Sequence, residues 1–161
     1  MVEKVHVEGM NATGALVRVD IVNGSAPGDT LKGFLRSLAQ QRINMRLFIG
    51  AESHRAVQAT CCVVDADGIH VKTIVDSTPD LKGCTEFQET AGLVSIFPHR
   101  FNLKTVGLAL MALAEAGLPL HGLCSSLSAL TFITDQARLQ EVLTALQATF
   151  DFSDNPPRMA G

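Results

Sequence analysis

Leu35, Leu38, Ala39, Ile43 and Met45 recur with the same spacing, 75 residues further on, as Leu110, Leu113, Ala114, Leu118 and Leu120. Self-similarity of this kind signals one supersecondary unit used twice. A chain of 161 residues, 47% of them hydrophobic, can fill two small cores.

The order of elements repeats with the letters. In the first half, Leu16, Val17, Val19, Ile21 and Val22 predict a strand rich in β-branched residues. A loop from Asn23 to Asp29 follows, punctuated by Gly24, Pro27 and Gly28. Leu31, Phe34, Leu35 and Leu38 fall on one helix face, and Asp29 stands where a negative charge suits the helix start. Met45, Leu47 and Ile49 alternate, as do Val57, Ala59, Cys61 and Val63, predicting two more strands. In the second half Leu93 to Phe97 is a strand and Pro98 to Asn102 a loop, with Asn102 a helix cap. Leu103, Val106, Leu110, Met111 and Leu113 then line a helix that Gly117 stops. Leu118 to Cys124 and Ser128 to Ile133 are strands. Thr134 or Asp135 caps a last helix carrying Leu139, Val142, Leu143 and Leu146. The stretch Asp65-Ala66-Asp67-Gly68 has two readings, a hairpin turn before the alternating Ile69, Val71 and Thr73, or the start of a helix running to Val75. With a helix there, each half reads strand, helix, strand, strand, helix, strand: an α+β, ferredoxin-like (βαββαβ) unit with both helices on one face of an antiparallel sheet. The expected division is 1–90, 91–152 and a flexible tail at 153–161.

Composition removes several function classes. The net charge is -3, and neither Trp nor Tyr occurs, so neither a basic groove nor an aromatic stacking platform for nucleic acid is expected. The start of the chain is polar and lacks the order of a signal peptide, and no apolar run suits a membrane span. A cytoplasmic protein without membrane contact is expected. Cys61, Cys62, Cys84 and Cys124 show no metal-binding spacing and read as buried small hydrophobes, Cys61 and Cys62 on opposite faces of their strand. No nucleophile elbow, phosphate loop or metal motif is present, and the loop 23–29 has no Arg of the kind acylphosphatases use. Neither catalysis nor a cofactor or metal is expected.

Several short runs carry a resemblance. Ser25-Ala26-Pro27-Gly28, Arg42-Ile43-Asn44-Met45, Ala112-Leu113-Ala114-Glu115-Ala116-Gly117, Ser125-Ser126 and the stretch from Phe132 to Phe150 are similar to the tandem ACT regulatory region of aspartokinases, including the separate regulatory chain some of them carry. The similarity runs from about Val2 to Phe150. It implies a helix from Asp67 to Val75 and a strand from Cys84 to Thr90. It also implies regulation by a free amino acid, a homodimer, and a partner enzyme of amino-acid biosynthesis such as an aspartokinase, catalytic output coming from a second polypeptide. The departures fall at effector positions: Ser25 replaces an Asp of the family, Gly50-Ala51 a Gln-Asn pair, Leu127 a Glu, and the loop 97–102 lacks the family's glycines.

A loop entering a helix offers free N–H groups and a positive dipole end to an amino acid's carboxylate. Gly28 allows close approach, Pro27 stiffens the loop, and Asn23, Ser25, Ala26 and Thr30 add backbone or hydroxyl partners, with Asp29 available to the ammonium. Arg100 can clamp a carboxylate and His99 can add pH sensitivity, beside Asn102, Ser125 and Ser126. The alternative to a regulatory amino-acid sensor is a non-catalytic oligomerisation module that has lost its ligand. For a dimer, the open sheet face is expected to carry Ala59, Cys61 or Cys62, Val63 and Phe132.

Overall fold

A computed structural model describes residues 4–24, 29–52, 56–97, 102–152 and 158–160. In chain order the elements are β1 (Val5–His6), β2 (Gly9–Gly24), α1 (Thr30–Gln40), β3 (Met45–Glu52), β4 (Val57–Val64), α2 (Asp65–Ser77), β5 (Thr85–Phe97), α3 (Leu103–Glu115), β6 (Gly122–Ser125), β7 (Leu130–Asp135), α4 (Leu139–Thr149), β8 (Phe150–Asp151) and β9 (Arg158–Ala160). A 3-10 turn, Gln136–Arg138, leads into α4. Contacts divide the chain into two units, Ala15–Thr90, and Met1–Gly14 with Ala91–Gly161.

In the unit Ala15–Thr90 the strands run in the order β3-β4-β2-β5, with β2–β4 and β3–β4 antiparallel. Val17, Val19, Ile21, Ala59, Cys61 and Val63 alternate inward to meet Leu31, Phe34 and Leu38 of α1 and Val71, Ile74 and Val75 of α2 in one core. The stretch after Asp65 is helix, not hairpin. Asp65 and Asp67 lie in its first turn, where they complement the helix dipole. Val71, Ile74 and Val75 are buried at helical spacing, whereas Ile69, which a strand would turn to the same side as Val71, is 66% exposed.

The second unit repeats the plan with strands β5-β7-β6, and β2 lies next to β5. Its core joins Val94, Ile96, Leu130 and Phe132 to Ala109 and Leu113 of α3 and Leu139, Val142, Leu143 and Leu146 of α4. Val7, Met10 and Ala12 belong to this same core. The described residues up to Gly14 therefore go with the second half, whereas the sequence reading kept them with 15–90. Gly9, Asn11 and Gly14 disguise the strand, because such residues are poor strand formers. The tail also differs from expectation. Residues 158–160 form β9, which pairs in parallel with Asn11–Thr13 and extends β2, while 153–157 lie outside the described residues. Among the described residues no helix is long and apolar enough to cross a membrane.

The repeat is visible in atomic detail at two places. Gly117 has φ 62° after α3, with Leu118 N–H bonded to Leu113 O at 2.9 Å and Gly117 N–H to Ala114 O at 3.1 Å. That is the six-to-one and five-to-two bonding of a Schellman stop. Arg42, 75 residues earlier, has φ 57° after α1, with Ile43 N–H on Leu38 O at 2.9 Å and Arg42 N–H on Ala39 O at 3.1 Å. A side chain in the left-handed region costs about 1 kcal/mol that glycine avoids. Arg42→Gly is therefore expected to stabilise the protein by about 1 kcal/mol in urea denaturation, and no gain would mean that the Arg42 side chain makes a compensating contact.

The second place is a close helix–strand approach. A Cβ on Gly68 of α2 would lie 2.8 Å from Val17 Cγ2 of β2, and one on Gly92 of β5 would lie 2.7 Å from Leu139 Cδ2 and Cγ, at the start of α4. Each unit uses one glycine to let its second helix onto its first strand, on the helix in one and on the strand in the other.

Two expectations need correction. Neither Thr134 nor Asp135 caps the last helix through its side chain: Thr134 donates its hydroxyl to Pro119 O at 2.7 Å, and Asp135 Oδ1 lies 2.7 Å from His121 Nε2. Ala59, Cys61, Val63 and Phe132 are core residues, not an open face. Only Cys62 of that set turns away from the helices.

Candidate functional site

The two helices that open the units begin differently. At α3, Asn102 Oδ1 accepts the Lys104 N–H at 2.9 Å, an ordinary N-cap. At α1, Asp29 holds the cap position but makes no side-chain capping bond. Its carboxylate instead faces Lys32 Nζ at 3.4 Å, on the exposed surface. Among the described residues, the first turn of α1 thus keeps N–H groups that no capping side chain has taken. Thr30, the first helical residue, is buried with 6% exposure, and its Oγ1 has no hydrogen-bond partner among the described residues. A buried hydroxyl left unpaired costs about 1–3 kcal/mol.

A shallow hollow of about 200 Å³ opens along the same turns, lined by Asp29, Lys32, Gly33 and Arg36. These positions share one helix face by their spacing of three and four. Lys32 and Arg36 bring positive charge to a dipole end that is itself positive, which favours an anion. Sequence reasoning named Asp29 and Thr30 but missed Lys32 and Arg36. The signal was available in the polar face opposite Leu31, Phe34 and Leu38.

The other expected residues are distributed as follows. Asn23 lies near the end of β2, in the same unit as Asp29 and Thr30. Ser25, Ala26, Pro27 and Gly28, and likewise His99 and Arg100, lie outside the described residues. Asn102, Ser125 and Ser126 belong to the second unit. Asn102 is engaged in capping. Ser126 closes a turn: its N–H donates to Ala129 O at 2.9 Å, and its Oγ accepts the Ala129 N–H at 3.1 Å.

A polar cluster unforeseen from the sequence lies on the β2–β4 face away from the helices. Arg18 Nε donates to Asp20 Oδ2 at 2.7 Å, and Thr60 Oγ1 donates to Asp20 Oδ1 at 2.7 Å. Cys62, directly opposite Arg18, is fully buried, and burial raises its thiol to about 11, with Arg18 opposing and Asp20 reinforcing the shift. On the helix side burial raises Cys61 to about 12, with Cys62 adding to it. Thiols held protonated in this way are poor nucleophiles. In the native protein Ellman's reagent is expected to modify Cys84 and Cys124, which are partly exposed, at least about tenfold faster than Cys61 and Cys62. Equal rates would show that the sheet opens on the time scale of labelling.

No protein-family model matches the chain, and no curated protein is recognisably similar to it. Solved structures are similar. The regulatory subunit of aspartate kinase from Thermus thermophilus, in a ligand-free form, superposes with a TM-score of 0.77 at 14% identity, over 90% of this chain and 99% of that one. The regulatory subunit of aspartate kinase from Thermus flavus gives a TM-score of 0.78 at 14% identity, over 91% and 99%. E. coli aspartokinase III in complex with lysine and aspartate gives 0.67 at 13% identity, over 94% of this chain and 35% of the enzyme. This chain therefore has the α+β fold of the regulatory subunits and regulatory domains of aspartate kinases, in the tandem ferredoxin-like form that its internal repeat foreshadows.

Proposed function

We propose that the protein is a non-catalytic regulatory chain that binds a free amino acid at the N-terminus of α1 and acts on a partner enzyme. One observation carries the reading: the uncapped first turn of α1 beside the buried, unpartnered Thr30 hydroxyl. A ligand carboxylate accepts the first-turn N–H groups and the Thr30 O–H, Lys32 and Arg36 add attraction, and Asp29 receives the ammonium. The fold shared with aspartate kinase regulatory subunits supports the regulatory role, and four free cysteines suit a reducing cytoplasm. The partner is proposed to be an aspartokinase-like enzyme of amino-acid biosynthesis, and the protein itself a homodimer.

A thermal-shift panel of the twenty amino acids tests this. A ligand present at about 100 times its Kd adds about 2.7 kcal/mol of stability. In Thr30→Val the response is expected to disappear, while the unliganded protein becomes as stable or about 1 kcal/mol more stable, because an unsatisfied buried hydroxyl is removed. No response to any amino acid from the intact fold favours instead an interaction module that has lost its ligand. Leu127, 69% exposed where the family has Glu, is the feature that favours this second reading.

A further inference from the structure

The helices α1 and α3 hold matching places in the repeat, yet their outward faces differ. Lys32 and Arg36 of α1 correspond, 75 residues on, to Gly107 and Met111 of α3. Only Lys104 and Glu115 are charged among the thirteen residues of α3. A helix so apolar all round is ordinarily buried on every side. Here Leu103 is 83% and Met111 58% exposed. Leu103, Gly107, Met111 and Ala114, all exposed, fall with Lys104 and Glu115 within roughly a third of the helix circumference at 3.6 residues per turn.

The order of charges along this stripe says what covers it. Lys104 is in the first turn and Glu115 at the last residue, with Gly107 and Met111 placed about symmetrically between them. A copy of the same stripe laid antiparallel brings Lys104 of each molecule against Glu115 of the other. It also sets each Met111 over the partner copy's Gly107, where nothing lies within 4 Å of the position a Cβ would take. No ion pair joins Lys104 or Glu115 to another described residue. The stripe is thus self-complementary in charge and shape, as a two-fold interface requires.

We propose that α3 is a homodimer interface, packing antiparallel on α3 of a second copy through Leu103, Gly107 and Met111, with two reciprocal Lys104–Glu115 pairs. This rests on the homodimer reading above and gives it a location and a register. Sedimentation velocity of the full chain is expected to show a dimer at micromolar concentration. Met111→Glu is expected to raise the dissociation constant by about a hundredfold or more, since it places a charge in an apolar seam. Lys104→Glu and Glu115→Lys each turn two attractive pairs into repulsive ones and are expected to weaken the dimer by about tenfold. Mixing the two single variants restores both pairs, so they should associate with each other in preference to themselves. Circular dichroism checks folding, and the charge reversals, on exposed positions, remain decisive if Met111→Glu misfolds. A monomeric wild type overturns both the interface and the homodimer reading. A dimer indifferent to all three substitutions, with no preference on mixing, overturns the α3 interface and leaves the homodimer reading intact.

Discussion

Raising the pH from 9 to 11 is expected to cost the Ala15–Thr90 unit on the order of 4 kcal/mol of stability. The loss comes from two adjacent thiols. Burial raises Cys61 to about 12, with Cys62 beside it adding to the shift, and burial raises Cys62 to about 11, both from 9.0. Unfolded, each thiol ionises as the pH passes 9; folded, Cys61 keeps its proton across the window and Cys62 loses it only at the upper end. The unfolded state then binds fewer protons than the native state, so stability falls with pH by about 1.4 kcal/mol per unit for each thiol. The contribution is fully present below pH 9 and is gone once the folded values are passed. Against a usual total of about 5–15 kcal/mol this is enough to unfold a small unit. The window is free of phenol titration because the chain has no Tyr, and the absence of Trp makes far-UV circular dichroism the appropriate signal. Urea titrations across the window should show the slope, and the Cys61→Ala/Cys62→Ala variant should flatten it. A wild type equally stable at both ends would show that the sheet admits solvent to these thiols.

The second large effect is expected at Gly92. A Cβ there would sit 2.7, 2.7 and 2.9 Å from three carbons of Leu139, which is itself 3% exposed in the core of its unit. Gly92→Val gains up to about 1 kcal/mol of strand preference. Overpacking opposes it with about 3 kcal/mol or more, because the neighbour it strikes is held between β5 and the core. The net expectation is a loss of at least about 2 kcal/mol. Leu139→Ala alone should cost about 3 kcal/mol through the cavity it leaves. Combining the two should cost less than their sum by at least about 1 kcal/mol, since each relieves the other. Strict additivity in that cycle would mean that the two residues do not meet as described.

Much of this fold was legible because the repeat and the apolar stripes both report burial. Leu31, Phe34 and Leu38, or Leu139, Val142, Leu143 and Leu146, announce a helix face, and each set is found in a core. The second strand of the first half reads correctly for the same reason. Where burial follows from pairing across a long sequence distance, the signal fades. Met10 and Ala12 are fully buried among residues from 94 to 150, but two alternating residues flanked by glycines carry no pattern of their own. The segment from Asp65 to Val75 was ambiguous because its short apolar run fits periods of 2 and of 3.6, and packing against α1 decides it. The candidate site was legible in part. Thr30 and Asp29 could be named from the loop–helix junction, but whether their side chains cap the helix or leave it open is a matter of rotamers that composition does not record.

The exchanged glycines bear on how a duplicated chain avoids assembling wrongly. Two units of one plan, joined in one polypeptide, invite each strand to receive the other unit's helix during folding, a characteristic failure of repeat proteins. Here Val17 meets Gly68, and Gly92 meets Leu139. In a crossed assembly Val17 would confront Leu139, two bulky side chains in room for one, while Gly92 and Gly68 would face each other across a void. Both errors cost kilocalories, one through overpacking and the other through lost contacts. The opposite placement of the small residues in the two halves is therefore expected to favour the pairing of each strand with the helix of its own half.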